Sequence, residues 1–188
     1  MTFVTDHSDI DVVPSIQHGN ALAHTIGLGA MGLHGYLAKN HLYYGEPDSV
    51  EFTSVYFMLL NYWTLRASNK IAKERGQVFH NFEKSKYADG SYFDKYLAQD
   101  FGPKSARVKE LFQGIDIPTT ADWADLKQAV MQDGLYHQNR MAVAPTGSIS
   151  YINDATASYS RSLTGSKNVK KRKLEKFTIQ PHICPMIR

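Results

Sequence analysis

The sequence predicts a mainly α-helical fold, and three observations carry that prediction. A 29-residue stretch from Pro47 to Arg75 repeats its apolar residues at three- and four-residue steps. A second stretch opens on the hydroxyls Thr119 and Thr120 and closes on Gly134. Only one short run, Met141-Ala-Val-Ala144, reads as a buried strand. With 188 residues, 43% hydrophobic and 21% charged, the chain is long enough to bury a core.

Charge divides the chain in two. From Tyr159 to Arg188 there are eight Lys or Arg and one acid, a net +7, whereas residues 1–158 carry 13 bases and 17 acids, a net −4. This break marks 1–158 and 159–188 as separate parts, the second expected to be a basic, unfolded tail because its apolar residues keep no sustained period. The apolar run from Val55 through Leu65 is shorter than the roughly 20 residues of a membrane span, so no membrane association is expected. The N-terminal residues lack the regions of a signal peptide, and the lone Cys184 has no internal disulfide partner. A reducing, cytoplasmic setting is the resulting expectation.

Taken in order, residues 1–17 read as a loop or extended lead-in, because Asp6, Ser8, Asp9, Asp11 and Pro14 oppose regular structure. Between His18 and Lys39, Leu22, Ile26, Met31, Leu33 and Leu37 alternate with glycines, a pattern of helices packed through small residues. Pro47 suits the first turn of the long helix and Gly76 its stop. Its predicted inner positions are Phe52, Val55, Tyr56, Leu59, Leu60, Trp63, Ala67 and Ile71. At 1.5 Å per residue it is roughly 43 Å long, and its middle is apolar nearly all round, so other chain must cover it on several sides. That suits a piece of a larger assembly.

Residues 77–103 are aromatic and polar, with turns expected at Asp89-Gly90 and Gly102-Pro103. A short helix follows over 105–112. The helix capped by Thr119 or Thr120 carries Asp122 and Asp125 in its first turn and turns Trp123, Leu126 and Val130 inward. The strand 141–144 then leads into Pro145-Thr-Gly-Ser148 and another helix.

Two glycine-containing segments invite a binding reading. Gly27-Leu-Gly-Ala-Met-Gly32 has the spacing of a dinucleotide loop, but the residues before it lack strand character and the acids about twenty residues on, Asp48 and Glu51, fall in the long helix. Packing glycines are the better account. Ala144-Pro-Thr-Gly-Ser-Ile-Ser150 is stronger, because a strand-to-helix turn with hydroxyls at Thr146, Ser148 and Ser150 presents N–H groups to an anion. Without a lysine it is no Walker loop, and an ordinary hydroxyl cap is the competing account. The eight histidines show no zinc spacing, and no metal site is expected.

His24-Thr-Ile-Gly-Leu-Gly-Ala-Met-Gly-Leu-His-Gly-Tyr-Leu-Ala-Lys39, Ile71-Ala-Lys-Glu-Arg-Gly76, Tyr92-Phe-Asp-Lys-Tyr96 and Ala144–Ser150 together resemble the large (α) subunit of class Ib ribonucleoside-diphosphate reductase, over residues 3–158. The resemblance implies an α-rich segment of a ten-stranded α/β barrel, from the C-terminal half of the subunit. It also implies that Pro145, Thr146, Gly147, Ser148 and Ile149 bind the diphosphate of a ribonucleoside diphosphate substrate. The family's chemistry uses a cysteine thiyl radical and a pair of reducing thiols. Residues 1–158 contain no cysteine, so no catalytic residue is expected within them. Further implications are a radical-generating β subunit with a metal-tyrosyl radical, a glutaredoxin- or thioredoxin-like dithiol reductant, and a large-subunit homodimer. No cofactor is expected on this segment itself.

The resemblance stops after Ser158. Residues Leu174 to Ile187, read one nucleotide earlier, can encode Ile-Gly-Lys-Ile-Tyr-Tyr-Pro-Ala-Pro-Tyr-Met-Ser-Asn-Asp, close to the family sequence, so a frameshift near residue 159 is expected. The competing classes are a stand-alone module binding phosphate or nucleic acid, the latter through Lys170-Lys-Arg-Lys173, and a truncated product with no function of its own.

Overall fold

The computed structural model describes residues 1–7 and 12–158, together with the backbone of 167–170 and 176–179. The mainly α prediction holds. Eight helices occur among the described residues: α1 (Thr2–Asp6), α2 (Pro14–Ala23), α3 (Leu33–Lys39), α4 (Pro47–Arg75), α5 (Asp94–Ala98), α6 (Ala106–Leu111), α7 (Thr120–Asp133) and α8 (Gly147–Ile152). Two short 3-10 turns lie at Phe82–Lys84 and Ser91–Phe93. The strands β1 (Lys167–Lys170) and β2 (Lys176–Ile179) pair antiparallel, with Lys167 opposite Ile179 and Lys170 opposite Lys176. The expectation of an unfolded tail otherwise lies outside the described residues. No helix among the described residues is long and apolar enough to cross a membrane.

The chain forms two compact units, one of residues 1–28 and 51–142, the other of 29–50 and 143–188. In the first, α4 is the spine. Its buried line is Phe52, Val55, Leu59, Tyr62, Leu65, Asn69 and Ala72, turned one residue away from the predicted inner positions Trp63 and Ala67. Trp63 is 39% exposed and is covered in part by the Arg66 guanidinium, 5.2 Å from its ring. The polar members of the buried line explain the rotation, because each makes bonds that an apolar residue could not. Asn69 Nδ2 donates to the carbonyls of Ala129 and Gly134 at 3.0 and 2.9 Å, satisfying the open C-terminal end of α7. One helical step before Tyr62, buried Asn61 donates to the Tyr96 hydroxyl at 2.9 Å and accepts from the Tyr92 hydroxyl at 3.0 Å.

Around that spine the aromatic residues of 77–123 interlock. Trp123 stacks on Tyr96 at 3.9 Å and meets Tyr62 edge-on at 5.0 Å, while Phe52 stacks on Phe112 at 5.1 Å. Helix α7 is fixed by a capping box, in which Thr119 accepts from the Asp122 N–H and Asp122 accepts from the Thr119 N–H. It stops at Gly134, whose φ of +75° a side chain would strain. The predicted turn at Asp89-Gly90 is also present, with Gly90 at φ +76° and the Asp89 carboxylate accepting from the Ser91 N–H at 2.8 Å.

Three local expectations require correction. Residues 1–17 are not simply a lead-in, since α1 and the start of α2 lie there, Pro14 serving as a helix-starting residue. Residues 18–39 are not continuous helix: His24 ends α2 in the left-handed region at φ 45°, and 26–28 run extended before α3. Backbone bonds force that change, as Ile26 and Leu28 donate to Asn139 and Arg140 at 3.0 and 2.9 Å, and Ala142 donates back to Leu28 at 3.0 Å. Gly27 permits this approach, because a Cβ there would sit 3.0 Å from that of Ala142. Its packing role holds, between extended segments rather than helices. Residues 141–144, finally, form only a parallel bridge from Met141 to Leu28, and 142–144 are exposed, because among the described residues just one side of this segment is paired.

Candidate functional site

The turn predicted to bind an anion lies in the second unit. Pro145 is exposed, and Thr146, half-buried, adopts the left-handed conformation at φ 43°, ψ 28° as the residue capping α8. Gly147, Ser148 and Ile149 follow as the exposed first turn. Geometry gives their N–H groups no acceptor within the helix, and the first intrahelical bond runs from Ser150 N–H to Thr146 C=O at 3.0 Å.

The hydroxyls divide in a way the sequence did not disclose. Thr146 makes no cap bond to the helix, and its Oγ1 instead accepts from the Ser158 N–H at 2.6 Å. Buried Ser150 donates to the Gly147 carbonyl at 2.8 Å. Two of the three expected hydroxyl donors therefore hold the turn together, and Ser148 is the exposed one. The positive φ falls on Thr146 rather than on Gly147, around which an added Cβ would meet nothing within 4 Å. A strained non-glycine backbone of this kind persists only when its surroundings hold it. Here the Ser158 bond does so, together with Ala155 N–H donating to Ser150 C=O at 2.9 Å. Gly32 N–H is directed to Thr156 and Ser158 carbonyls at 2.9 and 3.2 Å, tying 156–158 to the start of α3.

A second polar cluster, in the first unit, went unnoticed in the sequence. Asp6 of α1 accepts from Arg75 Nη1 at 2.5 Å and from the Tyr136 hydroxyl at 3.0 Å. His24 stacks on Tyr136 at 4.1 Å, and its Nε2 meets the Gln77 amide nitrogen at 3.1 Å. Since that amide must donate, the His24 proton belongs on Nδ1, which faces Asp6 Oδ1 at 3.7 Å. Burial would raise the Asp6 pKa, but the bonds from Arg75 and Tyr136 outweigh it and hold the carboxyl below its ordinary value. Burial likewise depresses His24, against the pull of Asp6. The partners are spread over residues 6, 24, 75 and 136, so no local spacing could have announced them. Among the described residues, no group of three His, Cys, Asp or Glu side chains is placed to hold a metal.

A sequence model of the family described as "Ribonucleotide reductase, barrel domain" matches residues 1–185. The chain belongs to the ribonucleotide reductase barrel-domain family. It is 46% identical over 158 residues to the ribonucleoside-diphosphate reductase subunit alpha of Bacillus subtilis, an alignment covering 84% of this chain and 23% of that protein. The subunit alpha of Mycoplasma pneumoniae is 44% identical over 163 residues, covering 84% and 22%. That of Chlamydia trachomatis is 31% identical over 153 residues, covering 80% and 14%. The chain thus spans about a quarter or less of the curated relatives it matches. Membership of the reductase barrel family is in keeping with an α-rich unit in which, among the described residues, the extended segments 26–28 and 141–142 meet in a single parallel bridge.

Proposed function

We propose that this chain is a segment of the large subunit of a class Ib ribonucleoside-diphosphate reductase, an oxidoreductase that reduces ribonucleoside diphosphates to deoxyribonucleoside diphosphates for DNA synthesis. Its part in that reaction is to hold the substrate diphosphate on Pro145, Thr146, Gly147, Ser148 and Ile149. The observation that carries the reading is the use of Thr146. An ordinary helix cap would spend this hydroxyl on the first-turn N–H groups, whereas here it is turned to Ser158, and those N–H groups are left at an exposed helix start. Oriented N–H groups at such a start favour phosphate oxygens over water, and Ser148 adds a hydroxyl donor. Gly147 keeps the approach open, because nothing lies within 4 Å of its would-be Cβ.

The segment supplies binding rather than electron transfer. With no cysteine in residues 1–158, neither a thiyl radical nor a reducing thiol pair can form there. Those groups belong to the rest of the large subunit, the radical is generated on a metal-tyrosyl β subunit, and a glutaredoxin- or thioredoxin-like dithiol restores the thiols. The intact enzyme is a large-subunit homodimer in the cytoplasm. Residues from about 159 are read as frameshifted, on the strength of the family-like sequence recovered one nucleotide earlier.

The test uses the full-length enzyme. Gly147→Val places a branched side chain where the diphosphate would lie and is expected to raise the apparent substrate constant with effector affinity preserved. Ser148→Ala is expected to cost on the order of 1 to 2 kcal/mol for a hydrogen bond to a charged acceptor. Unchanged substrate binding in both variants would reduce the turn to a structural helix start. Micromolar nucleoside diphosphate binding by the chain alone, localised to 146–150, would instead favour a stand-alone module.

A further inference from the structure

Arg140 is a buried cation without an anion. It is only 6% exposed, and its backbone is fixed: its carbonyl accepts from the Leu28 N–H at 2.9 Å, and Met141 beside it bridges Leu28. Of the guanidinium nitrogens, only Nη2 has a partner, donating to the Tyr87 hydroxyl at 3.1 Å. Nε and Nη1 are sealed from water and meet no acceptor. Residues 1–158 hold 17 acids, yet no carboxylate of the described residues is among the partners of this guanidinium.

Nothing described around it substitutes for an anion. The guanidinium faces the Tyr87 ring at 5.2 Å, but a ring attracts charge across its face, whereas the N–H donors lie in the guanidinium plane and still need acceptors. Tyr92, packed on Tyr87 at 4.4 Å, is pushed up to about 12, chiefly by burial, and burial raises Tyr96 as well, so both are neutral hydroxyls. A buried charge with no counter-ion is strongly destabilising, whereas the same charge in a hydrogen-bonded pair is tolerated.

We infer that Arg140 is one half of a buried ion pair whose other half is an Asp or Glu side chain from the part of the large subunit outside this chain. The inference rests on the reading of the chain as a segment of that subunit, and the alignment covers only 23% of the Bacillus subtilis relative. Two observations select a side chain of the same subunit over a free anion. Because Nε and Nη1 are sealed, a diffusing phosphate or carboxylate has no path to them, so the acid must be packed in as the subunit folds. Two residues on in the sequence, moreover, 142–144 are exposed, so this part of the chain is left uncovered. Tyr87, half-buried and in the loop between the two 3-10 turns, is the cover that gives way to the acid. A carboxylate suits the donors, because its two oxygens accept parallel N–H bonds along one edge of the planar guanidinium.

The test compares Arg140→Met, which keeps the length and removes the charge, in two settings. In this chain the substitution removes an unpaired charge, and the thermal unfolding midpoint is expected to stay or rise. In the full-length subunit it strands the acid, and the midpoint is expected to fall by on the order of 5 °C, with Arg140→Lys falling less. An equal fall in both settings would show the guanidinium already satisfied within this chain, and no fall in the full-length subunit would show that no acid is there; either result overturns the ion pair. Should full-length Arg140→Met fail to fold, a crystal structure of the unsubstituted subunit decides. An Asp or Glu oxygen from outside this segment is expected about 2.7 to 2.9 Å from a guanidinium nitrogen, and a guanidinium without one overturns the pair. Reductase activity of the same full-length preparation tests the segment reading separately, so an active enzyme with no acid at Arg140 rejects the ion pair alone.

Discussion

At the scale of single residues, the chain depends on a few backbone positions that side chains cannot share. Gly134 combines φ +75° with ψ −165°, and a Cβ there would collide with the Val78 side chain. Gly134→Ala is expected to cost on the order of 1 to 3 kcal/mol in urea unfolding, because strain and collision act together. Thr119→Ala should cost about 1 kcal/mol by removing one half of the capping box. A Gly134→Ala variant as stable as the parent would show that the turn relaxes away from its left-handed form. Thr146 illustrates the opposite case. There a non-glycine residue holds φ 43° because its own hydroxyl is anchored to Ser158.

At the scale of elements, α4 shows how hydrogen bonding redirects an apolar stripe. Counting apolar residues puts Trp63 inward, whereas Asn61 and Asn69 turn the neighbouring positions in, where their amides satisfy two tyrosine hydroxyls and two carbonyls. A paired comparison follows: Leu65→Ala, at a position with no exposure, should cost 2 to 5 kcal/mol, and Trp63→Ala less than about half of that. Equal losses in thermal or urea unfolding would restore the apolar-count orientation. Asn61→Leu should cost about 1 to 3 kcal/mol, since the buried Tyr96 hydroxyl and its neighbour Tyr92 lose their shared partner. Tyr92 is already pushed up to about 12 by burial, first, and by the neighbouring tyrosines, so neither hydroxyl can escape the loss by ionising at neutral pH.

At the scale of the whole molecule, family membership and reach along the relatives set the expectations. The isolated chain, mixed with a β subunit and a dithiol, is expected to reduce no ribonucleoside diphosphate, because residues 1–158 contain no cysteine to carry the radical. Turnover by pure chain would overturn either the segment reading or the family's chemistry. A four-residue, two-stranded ladder such as β1–β2 is marginal in water without a further layer. Amide exchange across 167–177 is therefore expected to be fast, and strong protection there would reject the proposal that the tail is out of frame and unfolded.

The sequence by itself determined the helical class, the bounds of α4 and α7, the turn at Gly90 and the helix start at 146–147. Each of these depends on neighbours a few residues apart: a three- and four-residue period, a cap with its acid three residues on, a glycine at a left-handed bend. It also determined the family, because several motifs stand in register over most of the chain. The tertiary structure alone decided that 26–28 is extended, that Asn61 and Asn69 turn inward on α4, that Thr146 bonds to Ser158, and that Asp6, His24, Arg75, Tyr136 and His137 gather around α1. In each case the deciding partner is distant along the chain, 135 residues away for Thr2 and His137. A buried hydrogen bond outweighs local propensity because leaving its donor or acceptor unpaired costs more than the few tenths of a kcal/mol by which residues prefer one backbone state to another.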